Sequence, residues 1–337
     1  MAIKAQRNHS LLGHNTFRMN VIADEFISYD SEKELKEVLR LHPKDKPVFH
    51  IGQGSNLLFT KNYEGTILHS NIRFIEMQSI EGNDVFCRVG SGIVWDDFCD
   101  EMGKRNFYGV ENLSYIPGEV GAAAIQNIGA YGAEVCNVIS QVETIEISSG
   151  KKRVFTKKEC CYDYRDSIFK NELWSKYIVT AALFHLSVKP DVKLDYGQLK
   201  ELKAIRSVPS AELIREAVIA IRKSKLPDPS VIGSAGSFFK NPIVSIVKYE
   251  ELKKKYGDIP HYIIDAEHIK IPAAWMIEQC GWKGKSIGGA AIYEKQPLII
   301  INRYHAKPED VIHLAEAVQK SVYAKFGVNI YPEVIYV

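Results

Sequence analysis

Residues 115–135, Tyr-Ile-Pro-Gly-Glu-Val-Gly-Ala-Ala-Ala-Ile-Gln-Asn-Ile-Gly-Ala-Tyr-Gly-Ala-Glu-Val, form the stretch around which the rest of this chain is organised. Its glycines and alanines leave few side chains in the way of a ligand, so backbone amides can approach a pyrophosphate closely. A close-packed junction between a helix and a turn would explain the same small residues, and the stretch alone leaves both interpretations open. The residues that we expect to contact a ligand here are Pro117, Gly118, Gly121, Ala122, Gln126, Asn127, Gly129, Ala130 and Tyr131.

A second glycine loop lies upstream, directly after the apolar run Val48–Ile51. A strand that ends in Gly-x-Gly-Ser-Asn offers amide donors and two short polar side chains, which again suit a phosphate. The Rossmann fingerprint requires a third glycine at the start of a helix, whereas an apolar, strand-like run follows this loop. The two stretches together predict a dinucleotide site that is not a Rossmann site. The residues of the second loop that we expect to take part are Gly52, Gln53, Gly54, Ser55, Asn56 and Leu57.

Length and composition indicate an ordinary globular protein. The 337 residues allow two or three domains, and 46% are apolar and 25% charged. Lys and Arg number 43 against 41 Asp and Glu, and this balance argues against nucleic acid or an anionic membrane as the main partner. The six cysteines form no C-x-x-C pair and have no histidine at zinc spacing, so we expect reduced thiols and no metal. No apolar run approaches the length of a membrane span, and we expect a cytoplasmic protein.

The order of predicted elements divides the chain into three parts. A strand, a helix with the capping box Ser31-Glu32-Lys33-Glu34, and a second strand predict an α/β lobe over residues 1–70. Residues 71–206 are rich in strand patterns, with one helix predicted from Trp95 to Phe107. Residues 207–327 contain helices that begin near Ser210, Pro272 and Pro308, and residues 328–337 predict a strand that can rejoin the first lobe.

In their order and spacing, these stretches resemble the UDP-N-acetylenolpyruvoylglucosamine reductases (UDP-N-acetylmuramate dehydrogenases, the MurB family) of bacterial peptidoglycan synthesis. The resemblance runs from His14-Asn15-Thr16-Phe17 to Pro332-Glu333-Val334 and covers essentially the whole chain. It implies an α+β protein with the FAD-binding fold of the vanillyl-alcohol oxidase type. Two α/β lobes would hold FAD non-covalently, and an α+β domain would bind the substrate. We expect a monomer.

The resemblance also implies the reaction. NADPH reduces FAD, and UDP-N-acetylglucosamine-enolpyruvate then accepts hydride from flavin N5 at C3 and a proton at C2, which yields UDP-N-acetylmuramate for the cell wall. By resemblance, Arg165 and Glu333 stabilise the enolate-like species and Ser237 is the proton donor. On the residues alone, a surface arginine paired with Asp166, a turn-forming serine and a surface carboxylate remain acceptable interpretations.

Further residues match positions that bind the substrate in the family. The tyrosine Tyr196 matches a loop that closes over the UDP moiety in one subgroup. One residue departs from what a phosphate site favours, namely Glu119 within Pro-Gly-Glu-Val-Gly, whose carboxylate must point away from the phosphates if the backbone amides are to bind them. The predicted substrate contacts are Tyr164, Tyr196, Lys225, Asn241 and Gln296.

Two other functions compete with this interpretation. A flavin oxidase of an alcohol or a sugar on the same fold is the nearer alternative, and many such enzymes tether the flavin through His or Cys in the first loop. Residues 52–57 contain neither, although His50 is close. A non-catalytic protein that binds a nucleotide sugar would keep both glycine loops, but it would not need Arg165, Ser237 and Glu333 together.

Overall fold

The computed structural model describes residues 4–195, 197–205 and 208–337. No helix in these ranges is long and apolar enough to cross a membrane. The helices are α1 Glu32–Leu41, α2 Trp95–Lys104, α3 Val120–Gln126, α4 Lys200–Ile205, α5 Ala211–Lys225, α6 Ile246–Tyr256, α7 Ala273–Gln279 and α8 Pro308–Phe326. The strands are β1 Lys4–Ser10, β2 Ile22–Tyr29, β3 Val48–Ile51, β4 Leu57–Leu58, β5 Tyr63–Ser70, β6 Ile75–Glu81, β7 Asp84–Gly90, β8 Gly129–Ala130, β9 Ala133–Glu134, β10 Ile139–Glu146, β11 Lys152–Thr156, β12 Tyr177–Ser187, β13 Gly233–Ser237, β14 Ile243–Ser245, β15 Tyr262–Ile263, β16 His268–Lys270, β17 Ser286–Ile287, β18 Ala290–Ile292, β19 Ile299–Asn302 and β20 Ile335–Tyr336.

The chain forms two compact units. Unit 1 contains the described residues within 1–10, 22–53 and 63–224, and unit 2 contains those within 11–21, 54–62 and 225–337. These boundaries differ from the sequence-predicted ones at residues 70 and 206. Residues 54–62 belong to unit 2, where β4 pairs in parallel with the C-terminal β20. Helix α5 belongs to unit 1 except for its last residue, Lys225, and its Ile214 and Val218 pack against Leu194 and Leu199.

The first sheet of unit 1 has the strand order β1-β2-β5-β3, with β1 antiparallel to β2 and the other pairs parallel. The predicted capping box begins α1, because Ser31 Oγ accepts a hydrogen bond from Glu34 N at 3.2 Å. The Glu34 carboxylate in turn accepts from Asp30 N at 2.8 Å. The apolar face of α1, with Leu35 and Val38, is buried in the same core cluster as β2 and β5.

The second sheet of unit 1 is antiparallel throughout, with the order β11-β10-β12-β7-β6. Helix α2 contributes Trp95 and Phe98 to its core, and the Phe98 ring lies 4.7 Å from that of Phe184. The helix ends at Lys104, earlier than predicted. The physical reason is Asn106, whose φ of 56° is left-handed and cannot continue an α-helix.

The glycine-rich stretch forms the short helix α3 followed by the β8–β9 hairpin. Asn127 ends α3 in the left-handed conformation, with φ 45°. The hairpin turns at Tyr131 and Gly132, with φ 48° and 80°, as a two-residue turn between antiparallel strands requires. A Cβ on Gly121 would lie 2.9 Å from the Cβ of Ser91. Close packing therefore explains why position 121 is a glycine. This agrees with the interpretation of the stretch as a close-packed junction between a helix and a turn.

Unit 2 is built on the antiparallel sheet β13-β19-β18-β17. Helix α8 has the predicted proline at its start and ends at Gly327 with φ 63°. A smaller sheet, β14-β16-β15, precedes α7, and helix α6, which the sequence did not predict, begins after the cap Ser245. The predicted strand from Val328 to Tyr336 is paired in two short pieces, an antiparallel bridge between Pro332 and Phe239 and the strand β20.

Candidate active site

A side chain of the upstream glycine loop is bonded to the glycine-rich stretch within unit 1. Gln53 Oε1 accepts a hydrogen bond from Gly118 N at 3.0 Å. Gly118 has a φ of 126°, a conformation that favours glycine, and this turn directs its amide at Gln53. The two stretches that the sequence singled out are therefore neighbours, although 65 residues separate these two positions.

The other half of the upstream loop lies in unit 2. Gly54 has a φ of 64°, and a Cβ at this position would overlap the backbone oxygen of His14. Its backbone oxygen accepts a hydrogen bond from Thr16 N at 3.2 Å. Glycine is thus required at position 54 by close approach of the segment that carries His14 and Thr16.

Glu119 is buried, with 3% of its surface exposed. Its Oε1 lies 3.0 Å from His69 Nε2. A Cβ added to Gly52 would lie 3.0 Å from Glu119 Oε2. The carboxylate is therefore packed against the backbone of the upstream loop. The side chain is thus directed at His69 and Gly52 from within the protein, and its charge is close to the loop that we expected to receive a phosphate.

His50 faces the interior of unit 1. Its Nε2 lies 2.8 Å from the hydroxyl oxygen of Tyr29. Burial lowers the pKa of His50 to about 3, with a smaller contribution from the nearby His69. The same burial raises the pKa of Tyr29. The imidazole is therefore neutral and engaged with Tyr29, in contrast to the exposed group that a flavin tether would need.

Arg165 lies against the β8–β9 hairpin. Its Nη2 donates to the backbone oxygen of Gly129, and its Nη1 lies 3.6 Å from Glu134 Oε1. The guanidinium carbon is 5.1 Å from the centroid of the Tyr164 ring, which is a cation–π distance. The carboxylate of Asp166, the partner considered from the sequence, instead accepts from Ser167 N at 2.9 Å and Asn171 Nδ2 at 3.0 Å. Among the contacts of the described residues, Glu134 supplies a carboxylate that faces Arg165.

Asn127, a predicted cofactor contact, is fully buried, and its side-chain amide forms hydrogen bonds within the protein. Its Nδ2 donates to Glu134 Oε2 at 3.1 Å and to the backbone oxygen of Asp163 at 2.8 Å. Its Oδ1 accepts from Cys136 N at 3.1 Å. The amide thereby joins α3, the hairpin and the loop before Arg165.

Two functional candidates were missed from the sequence. Glu134 lies within residues 115–135. A two-residue turn at Tyr131 and Gly132 would have indicated that this carboxylate pairs with Gly129 in a hairpin. Arg222 lies four residues after the buried Val218 and so shares the apolar face of α5. An arginine on an apolar helix face could have been recognised from the sequence. Arg222 Nε donates to the backbone oxygen of Tyr115 at 3.0 Å, and burial lowers the pKa of Arg222 while Tyr131 opposes this change.

Unit 2 brings Ser237 and Glu333 to neighbouring backbone segments. Ser237 ends β13, and the backbone N–H of Glu333 donates to the oxygen of the next residue, Phe238, at 2.7 Å. The side-chain amide of Asn56, from the upstream loop, donates to the backbone oxygen of Glu333 at 3.2 Å. A predicted proton donor, a predicted acid and a predicted cofactor contact therefore meet in one unit.

The predicted substrate contacts are more dispersed. Asn241 Oδ1 accepts from Ala273 N at 2.9 Å and so satisfies an amide in the first turn of α7. Gln296 Oε1 accepts from Leu298 N at 3.4 Å in the turn before β19. Lys225 is exposed at the end of α5, and Tyr164 contacts Arg165 as described. Tyr196 lies outside the described residues.

The residues around the β8–β9 hairpin fit a dinucleotide. Gln126 and Tyr131 are partly exposed and supply an amide and a phenol, which are suitable partners for a heterocycle or a ribose. A Cβ on Gly132 would have no atom within 4 Å among the described residues, so the turn leaves open space beside these groups. These two side chains are neutral hydrogen-bonding groups, which suit a flavin ring system, and the charged Arg165 and Glu134 lie at the same hairpin.

Comparison with known families assigns both halves of the chain. Residues 23–155 match the sequence model of an FAD-binding domain. Residues 228–337 match that of the UDP-N-acetylenolpyruvoylglucosamine reductase C-terminal domain. The first match covers both glycine stretches, and the second covers Ser237 and Glu333.

Similar proteins cover the whole chain. UDP-N-acetylenolpyruvoylglucosamine reductase of Bacteroides fragilis (strain YCH46) is 51% identical over 333 residues, which are 98% of this chain and 100% of that protein. The protein of the same name from Porphyromonas gingivalis (strain W83) is 42% identical over 334 residues, 98% and 99% of the two chains. The crystal structure of UDP-N-acetylenolpyruvylglucosamine reductase (MurB) from Thermus caldophilus superposes with a TM-score of 0.69 at 21% identity over 100% and 99% of the two chains.

The structural match confirms the expected α+β fold, and the FAD-binding match confirms the expected cofactor. The cofactor of this chain is thus FAD. The chain is an oxidoreductase that belongs to the UDP-N-acetylenolpyruvoylglucosamine reductase family.

Proposed function

We propose that this protein reduces UDP-N-acetylglucosamine-enolpyruvate to UDP-N-acetylmuramate with NADPH as the electron source. The observation that carries the proposal is the pairing in unit 2 of the strand end bearing Ser237 with the segment bearing Glu333, joined by the Glu333 N–H and the Phe238 oxygen at 2.7 Å. The fold thus brings together the backbone segments of a hydroxyl residue and a carboxylate residue that are far apart in sequence, and groups of these two kinds are suited to proton transfer and charge stabilisation at one carbon.

Arg165 is the residue that we assign to the carboxylate of the substrate. A guanidinium recognises a planar carboxylate well, and an enolpyruvyl group carries one. The Gly129 oxygen and the Tyr164 ring limit the orientations open to the Arg165 side chain, which is 18% exposed. Hydride addition at C3 places negative charge at C2 and on the carboxylate, and a pre-oriented cation stabilises that charge without reorganisation.

When bound, FAD would supply the chemistry of a hydride carrier between NADPH and the substrate. In our proposal the two glycine stretches bind FAD without a covalent bond. The neutral, interior position of His50 supports this, because its Nε2 is engaged with Tyr29. Gln126, Ser55 and Asn56 are the side chains that we assign to FAD, together with the backbone of residues 52–57 and 117–131.

Ser237 is assigned to donate a proton to C2. Ser237 is half-buried at the end of β13, where the strand register shifts between Ser234 and Ser237. A bulge of this kind changes the direction of a side chain and is frequent beside active sites. Glu333 is assigned to the enolate-like species, with its backbone held by Asn56 and by Phe238.

The visible absorption spectrum tests the proposal. The purified protein should show a flavin band that bleaches with NADPH under anaerobic conditions and returns when UDP-N-acetylglucosamine-enolpyruvate is added. Recovery of the band with oxygen alone, and not with this substrate, would identify a flavin oxidase instead. A protein that cannot be loaded with FAD would contradict the assignment of both glycine stretches.

A single substitution tests the role of Ser237. Ser237→Ala should leave bleaching by NADPH nearly unchanged and slow reoxidation by the substrate by about 10²–10⁴-fold, the usual contribution of a general acid. Ser286→Ala, which alters an exposed serine of the same sheet, should leave both half-reactions unchanged. Equal slowing of both half-reactions in Ser237→Ala would exclude the role of proton donor.

A further inference from the structure

Glu134 faces Arg165 without the paired hydrogen bonds of an ordinary arginine–carboxylate contact. The 3.6 Å between Arg165 Nη1 and Glu134 Oε1 exceeds the hydrogen-bond range of about 2.7–3.2 Å. The hydrogen bond from Nη2 is made instead to the backbone oxygen of Gly129. The guanidinium is therefore held by a backbone hydrogen bond at Nη2 and by the Glu134 carboxylate at Nη1.

Asn127 holds the carboxylate of Glu134 in place. Its Nδ2 donates to Glu134 Oε2 at 3.1 Å, and its remaining bonds go to Asp163 and Cys136. Because Asn127 is fully buried, rotation of its amide would leave buried polar groups unsatisfied. The position of Glu134 is thus determined from the interior, independently of Arg165.

Gly129 leaves the space in which these two side chains meet. Gly129 pairs with Glu134 across the β8–β9 hairpin. A Cβ on Gly129 would lie 2.5 Å from Arg165 Nη1 and 3.0 Å from Glu134 Cγ. The absence of a side chain at 129 is therefore required by the contact between Arg165 and Glu134.

We propose that Glu134 is a positioning residue that holds the Arg165 guanidinium ready for charge developing on the substrate, while its own charge weakens pairing with the substrate carboxylate in the ground state. The inference rests on the proposed function of Arg165. The side chains of Arg165 and Glu134 are 18% and 33% exposed, so solvent screens the contact less than at an open surface. The anion opposes the bound substrate in the ground state and in the transition state alike, so the gain in rate that we assign to Glu134 comes from orienting the guanidinium.

The substitution Glu134→Gln tests this division of effects. Glutamine retains an amide oxygen for Asn127 and similar size, but it lacks the charge. We expect kcat to fall about tenfold, because the guanidinium is less well oriented, and KM for the enolpyruvyl substrate to stay constant or fall, because a competing anion is gone. The dissociation constant of the substrate, measured by the flavin spectral change, should follow KM. A purely structural role would instead raise KM and lower the melting temperature.

Two further variants make the test decisive. Glu101→Gln removes a carboxylate from an ion pair with Arg105 on the exposed face of α2, and it should change neither kcat nor KM. Gly129→Ala displaces the guanidinium while both charges remain, so kcat should fall without a fall in KM. If Glu134→Gln does not fold, a full kcat in Gly129→Ala overturns the proposal.

Two variants distinguish an error in the role of Glu134 from an error in the proposed function of Arg165. An unchanged kcat in Glu134→Gln, together with loss of activity in Arg165→Gln, would overturn only the positioning role. Full activity in Arg165→Gln would overturn the assigned function of Arg165 and the inference with it.

Discussion

The side-chain amide of Asn56 donates to the backbone oxygen of Glu333 at 3.2 Å, and the backbone oxygen of Asn56 accepts from Ile335 N at 3.0 Å. A residue of the upstream glycine loop thus holds the segment that carries the proposed acid. β4 and β20, which follow these residues, continue the contact as a parallel pair. This arrangement couples the position of Glu333 to the fold of the loop.

Asn56→Ala should therefore affect both stability and catalysis. The substitution leaves a part-buried carbonyl without this donor, and we expect a loss of about 1–3 kcal/mol in the free energy of unfolding. Reoxidation by the enolpyruvyl substrate should slow, because Glu333 is less well placed. Chemical denaturation and stopped-flow absorbance measure the two effects. Asn71→Ala, which removes an exposed bond to Asp30, should change neither, and equal effects of both variants would contradict the coupling.

Gly121→Ala should destabilise unit 1. The added Cβ would lie 2.9 Å from the Cβ of Ser91, and overpacking of this kind costs about 1–3 kcal/mol. Thermal unfolding of the single variant, of Ser91→Gly and of the double variant measures the interaction between the two sites. Because Ser91→Gly removes the atom that clashes, the double variant should be more stable than the sum of the single effects predicts. Simple additivity would show that Gly121 is not required for this packing.

Glu119→Gln should increase the affinity for FAD. The Glu119 carboxylate lies against Gly52, in the loop to which we assign a phosphate contact, and glutamine can keep an oxygen for His69. Removal of a screened repulsion of up to about 1 kcal/mol corresponds to about a two- to fivefold lower Kd. Fluorescence titration of the FAD-free protein measures the Kd for FAD. The control is Glu81→Gln, which changes an exposed carboxylate at the end of β6. Weaker binding in Glu119→Gln would place the phosphates elsewhere.

Acid should destabilise the protein through His50. Its folded-state pKa of about 3 lies below the ordinary 6.5, so between these pH values the unfolded chain binds a proton that the folded chain does not. The contribution of His50 to the free energy of unfolding is fully present above pH 6.5 and decreases as the pH falls towards 3. In His50→Gln this dependence is removed, and the melting temperature should fall less between pH 7 and pH 4 than in the wild-type protein. Parallel curves for the two proteins would show that His50 does not contribute.

The short-range features of this fold could be predicted from the sequence. The capping box of α1 and the proline and glycine at the ends of α8 depend on residues within a few positions of one another. The small residues of 115–135 likewise indicated a helix-to-turn junction that approaches other backbone closely. Local periodicity also missed α6 and overestimated the C-terminal strand, which is paired only in β20 and in a bridge at Pro332.

The partners of the site residues depended on tertiary structure. The neighbouring positions of Ser237 and Glu333, the contact of Arg165 with Glu134 and the burial of Glu119 beside His69 all join segments that no local pattern relates. Hydrophobic period and turn propensity act over a few residues, and so the sequence by itself determined local features such as the start of α1 and both ends of α8. Which charge faces which is decided by strand register and by the packing of distant segments, and only the folded chain contains that information.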